Sequence, residues 1–161
     1  IEKYIPPKKG RKHILYIRGE MLVFHPVSHK TDIAAATAYL TRVMKRRCTS
    51  FIISDFYDDK DFEKEMEIAN RKHDMVAIQV YDQRAKTLPD IGLLKVRDAE
   101  TGHEMYIDTS SKKLRRAHTA YWLKREEQLK TTFAKSKVDW VSVATNEDFA
   151  KSLILLFKKR A

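Results

Sequence analysis

The sequence is short of the residues that mark several protein classes. It has four glycines, four prolines and one cysteine among 161 residues. It also lacks any apolar run near the ~20 residues that a membrane-spanning helix needs. With so few glycines no phosphate-binding loop is present, and the single Cys48 excludes an internal disulfide. Cys48 therefore fits a reducing compartment and a cytoplasmic protein, and with no histidine near it in the sequence we expect a buried small apolar residue.

The motifs of the common catalytic classes are missing as well. The sequence contains neither GxSxG nor HExxH. His25 and His29 are four residues apart, as zinc ligands on a helix can be, but Pro26 between them indicates a loop, and the other four histidines have no partner at the spacing of metal ligands. Nothing in the sequence supports a pair of nucleophile and base. We therefore expect a protein that is not an enzyme.

The charge is strongly positive but unevenly spread. Lys and Arg number 32 against 22 acidic residues, which gives a formal net charge of +10. The surplus lies in residues 8–12, 45–47, 112–137 and 158–160. One interpretation is nucleic-acid binding through the basic segment 112–137. The other is solvated helix faces and helix C-termini, which we favour because no RNA-binding signature accompanies the charge.

Apolar patterns along the chain predict an α/β fold. Short β-branched and aromatic runs at residues 49–56, 75–81 and 138–143 are typical of strands buried on both faces of a parallel sheet. Helical spacing over the intervening segments predicts helices on both faces of that sheet, which makes a three-layer α/β/α arrangement. Residues 91–96 and 104–107, around a turn at 98–102, predict a β-hairpin insertion. We interpret residues 1–161 as one domain.

Two further expectations concern the first residues of the chain and the basic segment. Residues 1–5 are interpreted as the end of a strand, stopped by Pro6 and Pro7. The basic segment is predicted to form one long helix that begins at Ser110 or Ser111 and ends near Lys135. One face of this helix is expected to pack on the sheet, and the residues of that face are Leu114, Ala117, Tyr121, Leu129 and Phe133.

Asp55 is the first candidate site residue. It follows directly on the apolar run that ends at Ser54, and ligands of open α/β sheets bind outside the carboxyl ends of the strands. The alternative is that Asp55 only terminates the strand. For the neighbouring Asp58, Asp59 and Asp61 we favour helix capping over cation binding.

Thr31 is the second candidate. Thr31 and Asp32 precede the helix that leads into the residue 49–56 strand, so their loop also opens at the carboxyl edge of a parallel sheet. Thr31 and Asp55 together could supply two oxygens to a Mg²⁺ ion that keeps several waters. The alternative for Thr31 is an ordinary helix N-cap.

The order of these segments resembles the von Willebrand factor A-like domain. More narrowly, it is similar to a bacterial MoxR-associated family catalogued as a domain of unknown function. The matching segments are residues 31–33 (TDI), 54–55 (SD), 71–78 (RKHDMVAI), 88–92 (LPDIG), 98–102 (DAETG), 107–109 (IDT) and 145–148 (TNED). The resemblance implies a Rossmann-like, six-stranded sheet with a metal-ion-dependent adhesion site at its carboxyl edge. Thr31 and Asp55 match two of that site's ligand positions.

The chain departs from that pattern in its first part. The D-x-S-x-S motif that supplies most of the metal ligands is absent, so the chain resembles the C-terminal part of such a domain, truncated at its N-terminus. The resemblance implies a non-enzymatic protein-binding module whose partner is a MoxR-type AAA+ ATPase. It implies Mg²⁺ in the full-length domain and weak or absent binding in this fragment. The alternatives are a receiver-like phosphoacceptor at Asp55 and nucleic-acid binding.

Truncation also predicts self-association. If a neighbouring strand is missing, the residue 49–56 strand presents an unpaired apolar edge. We therefore expect a two-fold homodimer built around that edge or around the exposed apolar face beside it.

Overall fold

The computed structural model describes residues 1–27, 30–98 and 101–160. Six helices and five strands occur there, and helices separate all the strands except β3 and β4. In chain order they are α1 Arg11–Val23, α2 Ile33–Val43, β1 Thr49–Ser54, α3 Glu63–Lys72, β2 Asp74–Tyr81, α4 Gln83–Lys86, β3 Leu93–Arg97, β4 Glu104–Asp108, α5 Lys112–Ser136, β5 Asp139–Ala144 and α6 Phe149–Arg160.

Three strands form a parallel sheet in the order β1-β2-β5, and β3 and β4 form a separate antiparallel hairpin. This confirms the predicted α/β class and the hairpin insertion. The predicted hairpin turn at 98–102 includes residues 99 and 100, which lie outside the described residues. In the described part of the chain, no helix is both long and apolar enough to cross a membrane.

Helices cover both faces of the sheet. Successive strand residues point to opposite faces of the sheet, so the contacts of Phe51 and Ile52 of β1 show what packs on each face. Ile52 packs against the main core, to which α2, α3 and α5 contribute. Phe51 meets Phe157 of α6 with ring centroids 6.1 Å apart. Helix α6 therefore lies on the second face, where Arg160 forms ion pairs with Asp74 and Asp139.

The main core is centred on Phe133 of α5. Its side chain is fully buried, and its ring centroid lies 5.1 Å from Phe56, 5.5 Å from Trp140 and 6.4 Å from Phe62. Aromatic rings at these separations add to the stabilisation that burial alone provides. One side chain thus joins α5 to β5 and to the segment between β1 and α3.

The inward face of α5 differs from the predicted one. Leu129 and Phe133 are buried as expected, but Tyr121 is 50% exposed and Ala117 is exposed. Trp122 takes the place expected of Tyr121, packing with its ring centroid 6.1 Å from that of Tyr81. Tyr121 and Trp122 are adjacent and both aromatic, so the sequence alone could not decide which of them packs on the sheet.

Strand β1 is the second correction. The prediction of burial on both faces is wrong, because Phe51 is 46% and Ile53 is 66% exposed. Among the described residues β1 pairs only with β2 and is an edge of the sheet, so α6 covers its second face only in part. Residues 1–5 form no strand either, so they do not extend the sheet beyond β1.

Cys48 does have a histidine beside it, contrary to the sequence-based expectation. His73, at the start of β2, is fully buried and places Nδ1 3.5 Å from Cys48 Sγ. Its Nε2 has no hydrogen-bond partner among the described residues. Burial, and then the positive charges of Lys72 and Arg47, lower the pKa of His73. The imidazole is therefore held neutral in the folded protein.

We predict that Phe133→Ala lowers the free energy of unfolding by about 3–5 kcal/mol, because it leaves a cavity in the aromatic core. Tyr121→Ala serves as the control and should cost about 1 kcal/mol, since the exposed ring loses mainly one hydroxyl contact. Urea unfolding followed by circular dichroism measures both. Equal losses in the two variants would contradict the placement of α5.

We predict that the chain self-associates at micromolar concentrations through the β1 edge, because unpaired strand groups and exposed apolar side chains both gain partners there. Ile53→Lys should shift the protein toward monomer in light-scattering measurements. Tyr106→Lys is a matched control, because Tyr106 is equally exposed, at 66%, but lies on the hairpin. A wild-type monomer of 18.9 kDa would contradict the prediction.

We predict that stability falls as the pH drops below about 6.5, where an unfolded histidine takes up a proton but native His73 does not. The loss should continue down to the lowered pKa of His73 in the folded state. In His73→Phe the dependence of unfolding free energy on pH should be shallower between pH 7 and 5. His103→Gln, at an exposed position, should keep the wild-type slope, and an unchanged slope in His73→Phe would disprove the assignment.

Candidate functional site

The carboxyl edge of the parallel sheet gathers polar side chains from three strand ends. Asp55 follows β1, Asp82 follows β2 and Thr145 follows β5. All three line one cavity of about 660 Å³ between the sheet, α5 and the β3–β4 hairpin. We call it the edge cavity. Its position is the one at which parallel α/β sheets bind ligands.

Asp55 has a defined orientation within a tight turn. Its Oδ1 accepts hydrogen bonds from the backbone N–H of Tyr57 at 3.0 Å and from the Ser54 hydroxyl at 3.4 Å. Its Oδ2 has no hydrogen-bond partner among the described residues, and the residue is exposed. One carboxylate oxygen thus fixes the turn, while the other remains available to a ligand.

Phe56 holds this turn against the core. Its φ of 57° lies in the left-handed region, which costs a non-glycine residue roughly 1–2 kcal/mol. Three hydrogen bonds fix that conformation. The Phe56 N–H donates to Ser54 Oγ at 3.0 Å, and its carbonyl accepts from Arg125 Nη2 at 2.8 Å and from the Asp58 N–H at 3.1 Å. Arg125 of α5 therefore helps to set the backbone beside Asp55.

The loop that carries Thr31 is bound to the loop that follows β1. The backbone N–H of Ile33 donates to Asp58 Oδ2 at 2.8 Å, and Lys60 pairs with Asp32. The hydrogen bond from Lys60, followed by that from the Ala35 N–H, lowers the pKa of Asp32. Thr31 itself is half-buried. The two loops expected to meet at the carboxyl edge are thus in contact.

The capping roles around these loops are mostly those expected. Asp32, and not Thr31, is the N-cap of α2, because its Oδ1 accepts from the Ala35 N–H at 2.8 Å. Asp58 also accepts from the first turn of α2, and Asp61 accepts from the Glu63 N–H at the start of α3 at 2.9 Å. These acids cap the N-terminal ends of helices, as the sequence indicated.

The residues present make a poor Mg²⁺ site by themselves. In the described part of the chain, no three His, Cys, Asp or Glu residues are grouped closely enough to hold a metal ion. Asp55 contributes one uncommitted carboxylate oxygen and Thr31 one hydroxyl. Mg²⁺ exchanges its waters reluctantly, and two such oxygens do not compensate for their loss.

The floor of the edge cavity is formed by Gln79, which belongs to a polar row across the sheet that the sequence reasoning missed. Ser54, Gln79 and Ser142 lie side by side on β1, β2 and β5. Gln79 is only 3% exposed, and its Oε1 accepts from Ser142 Oγ at 3.0 Å. The amide nitrogen of Gln79 has no hydrogen-bond acceptor among the described residues. A glutamine in the middle of the apolar run MVAIQVY was the available signal.

One wall of the cavity joins two tyrosines and an arginine. The hydroxyls of Tyr57 and Tyr121 lie 3.0 Å apart, and the Arg125 guanidinium lies 3.8 Å from the Tyr57 ring centroid. The hydrogen bond with Tyr121, reinforced by burial, raises the pKa of Tyr57 to about 12. The Tyr57 phenol therefore stays neutral at physiological pH. The exposed Tyr121 thus contributes to this surface and not to the core.

Two of the acids in the cavity wall are already paired. Asp82 is paired with Arg84 at 2.8 Å, and this bond lowers the pKa of Asp82. Glu126 lies 3.5 Å from Lys86 Nζ, which also sits 4.0 Å from the Tyr81 ring centroid. Much of the negative charge in the wall is therefore offset by neighbouring cations.

Comparison with known proteins found one family whose profile matches most of the chain. The family is described as "Protein of unknown function DUF58", and the match covers residues 1–128. It includes β1, β2, the hairpin and most of α5, and so almost the whole wall of the edge cavity. A search of solved structures found no match.

Curated relatives come from mycobacteria. The uncharacterized protein MAV169 of Mycobacterium avium is 39% identical over 77 residues, which are 48% of this chain and 46% of that protein. The uncharacterized protein Rv1480 of Mycobacterium tuberculosis is 31% identical over 100 residues, 61% of this chain and 32% of that protein. The chain thus spans between a third and a half of the relatives it matches.

Proposed function

Since the chain belongs to the DUF58 family, we propose that it is a non-enzymatic protein-binding module of von Willebrand factor A type. In this proposal a protein partner docks at the carboxyl edge of the sheet and contacts Asp55 and Thr31. The contact between the loop of Thr31 and the loop that follows β1 supports this proposal. The partner suggested by the resemblance described above is a MoxR-type AAA+ ATPase, met in the cytoplasm.

One observation carries the proposal: Asp55 presents an uncommitted carboxylate oxygen from a rigid turn. The turn is fixed by Phe56 in its left-handed conformation and by Arg125 from another element. Strained backbone that its surroundings hold in place is typical of functional sites. Binding to a prearranged group avoids the cost of ordering it, which favours recognition of a partner.

The distribution of reactive groups supports a role in binding and not in catalysis. The Cys48–His73 pair lies before β1, at the amino end of the sheet, whereas Asp55 follows β1 at the other end. Six strand residues separate the two sites, or roughly 20 Å at 3.3 Å per residue. Burial also disfavours the imidazolium that would activate the thiol.

Three of the cations on α5 make contacts within the protein, which weakens the nucleic-acid alternative. Arg115 pairs with Asp90 at 2.9 Å, Lys135 with Glu63 at 3.3 Å, and Arg125 with the Phe56 carbonyl. These side chains serve contacts within the protein. Nucleic-acid binding would show a steep decrease of affinity with salt, and a receiver-like role would show phosphorylation of Asp55.

The test is binding of the purified chain to a MoxR-type AAA+ ATPase from the same genome, measured by biolayer interferometry. Asp55→Asn should weaken binding by about tenfold or more, because a charged contact is lost. Asp59→Asn is the matched control: Asp59 is an exposed carboxylate in the same loop that does not line the edge cavity. Absence of binding, or equal effects of the two variants, would disprove the proposed function.

Calorimetric titration of the same chain with MgCl₂ tests the metal part of the proposal. We expect a dissociation constant no tighter than about 1 mM, since two protein oxygens replace too few waters. The missing ligands would come from other parts of a longer protein. A low-micromolar constant that Asp55→Asn abolishes would show that these residues form a metal site unaided.

A further inference from the structure

We propose that the edge cavity is the subsite for an acidic side chain of the protein partner, with an apolar residue beside it. The proposal rests on the proposed function, because it names the part of the partner that the carboxyl edge recognises. It concerns the floor, the α5 wall and the hairpin side of the cavity, and it does not require the Asp55 carboxylate as a contact.

The first argument is the uncommitted donor on the cavity floor. Gln79 is 3% exposed, and its carbonyl oxygen is already used by the Ser142 hydroxyl. Its amide nitrogen lines the cavity without an acceptor among the described residues. This nitrogen still reaches solvent, since in the described part of the chain the one buried side-chain atom without a hydrogen-bond partner is His73 Nε2. A ligand that brings an acceptor oxygen can therefore take the place of water at this donor.

The second argument is positive charge in the cavity walls. Arg125 uses Nη2 on the Phe56 carbonyl, while the other N–H groups of its guanidinium have no acceptor among the described residues. Arg97, on the hairpin side, lines the same cavity, and within residues 1–27, 30–98 and 101–160 its guanidinium makes no ion pair. A guanidinium is planar and suits a carboxylate with two oxygens.

The acids of the wall do not cancel this preference. Asp82 and Glu126 are offset by Arg84 and Lys86, as described above. Asp55 is the one acid of the wall without a basic partner in the described part of the chain. Its charge should weaken binding of an anion, which makes Asp55 a sensitive probe of the proposal.

The third argument is the combination of size and apolar wall. A cavity of about 660 Å³ lies in the range typical of small ligand sites. Besides the donors, its wall contains Tyr81, Trp122, Leu88 and Val96. Two adjacent side chains of a peptide would fit such a cavity. An acidic side chain would meet the hydrogen-bond donors, and an aromatic or aliphatic one would pack on the apolar wall.

The probes are two synthetic peptides, acetyl-Gly-Phe-Glu-Gly-amide and the same peptide with Gln in place of Glu. Titration is followed by tryptophan fluorescence, because Trp122 lies in the cavity wall, and is repeated by calorimetry. We expect the acidic peptide to bind at least about tenfold more tightly than its neutral counterpart, since only the former gains a charge-assisted contact. Inorganic phosphate is titrated in parallel and should bind much more weakly than the acidic peptide.

Three substitutions assign the binding to this cavity. Gln79→Met removes the donor at nearly constant volume, and Arg125→Lys keeps the charge but loses the planar fork; each should weaken the acidic peptide several-fold. Arg116→Gln, at an exposed position on the same helix, is the matched control and should have no effect. Circular dichroism checks that each variant is folded. If one of the two cavity variants does not fold, the other still tests the proposal.

Asp55→Asn separates this inference from the proposed function. It should strengthen binding of the acidic peptide about two- to threefold by removing repulsion, while it weakens binding of the ATPase. Equal binding of the two peptides, or phosphate binding as tight as the acidic peptide with the same dependence on Gln79 and Arg125, would overturn the acidic-peptide subsite. If the acidic peptide binds as expected but the ATPase does not bind, the subsite stands and only the proposed partner is wrong.

Discussion

Burial of the Phe56 ring is the interaction on which the carboxyl edge depends. The ring lies in contact with Phe133, so the backbone immediately after β1 must turn inward and adopt its left-handed conformation. Asp55 is thereby pushed to the surface, and the Phe56 carbonyl is presented to Arg125. The packing of the core and the orientation of the candidate site are therefore one constraint, because neither the ring nor the turn can move without the other.

Much of the fold could be predicted from the sequence, because strands and helices of an α/β protein differ in apolar period. The three parallel strands, the hairpin and the helix from Ser111 onward follow from those patterns. What failed were features decided by neighbours in space. Trp122 and not Tyr121 packs on Tyr81 of the sheet, and the second face of β1 is covered only in part, because neither packing partners nor sheet order are encoded locally.

The candidate site could likewise be predicted only in part. Asp55 and the Thr31 loop could be placed at one edge because parallel topology fixes where strand ends meet. The polar row through Gln79 and the arginine from α5 could not, since they come from positions far apart in sequence. The histidine beside Cys48 was missed similarly: parallel pairing of β1 with β2 joins residues 25 positions apart. Pairing across the sheet, more than composition, determines which groups can act together.

The placement of β5 has a consequence for the order of folding. This strand pairs with β2 only after a connection that includes α4, the hairpin and all of α5. Closing a long loop is entropically unfavourable, and non-local pairing is therefore slow. The hairpin and the 25-residue α5 rely on local contacts and shorten the effective loop once they form. A transition state with α5 already formed and β5 not yet paired is thus expected, so the walls of the edge cavity would be assembled before its floor is complete.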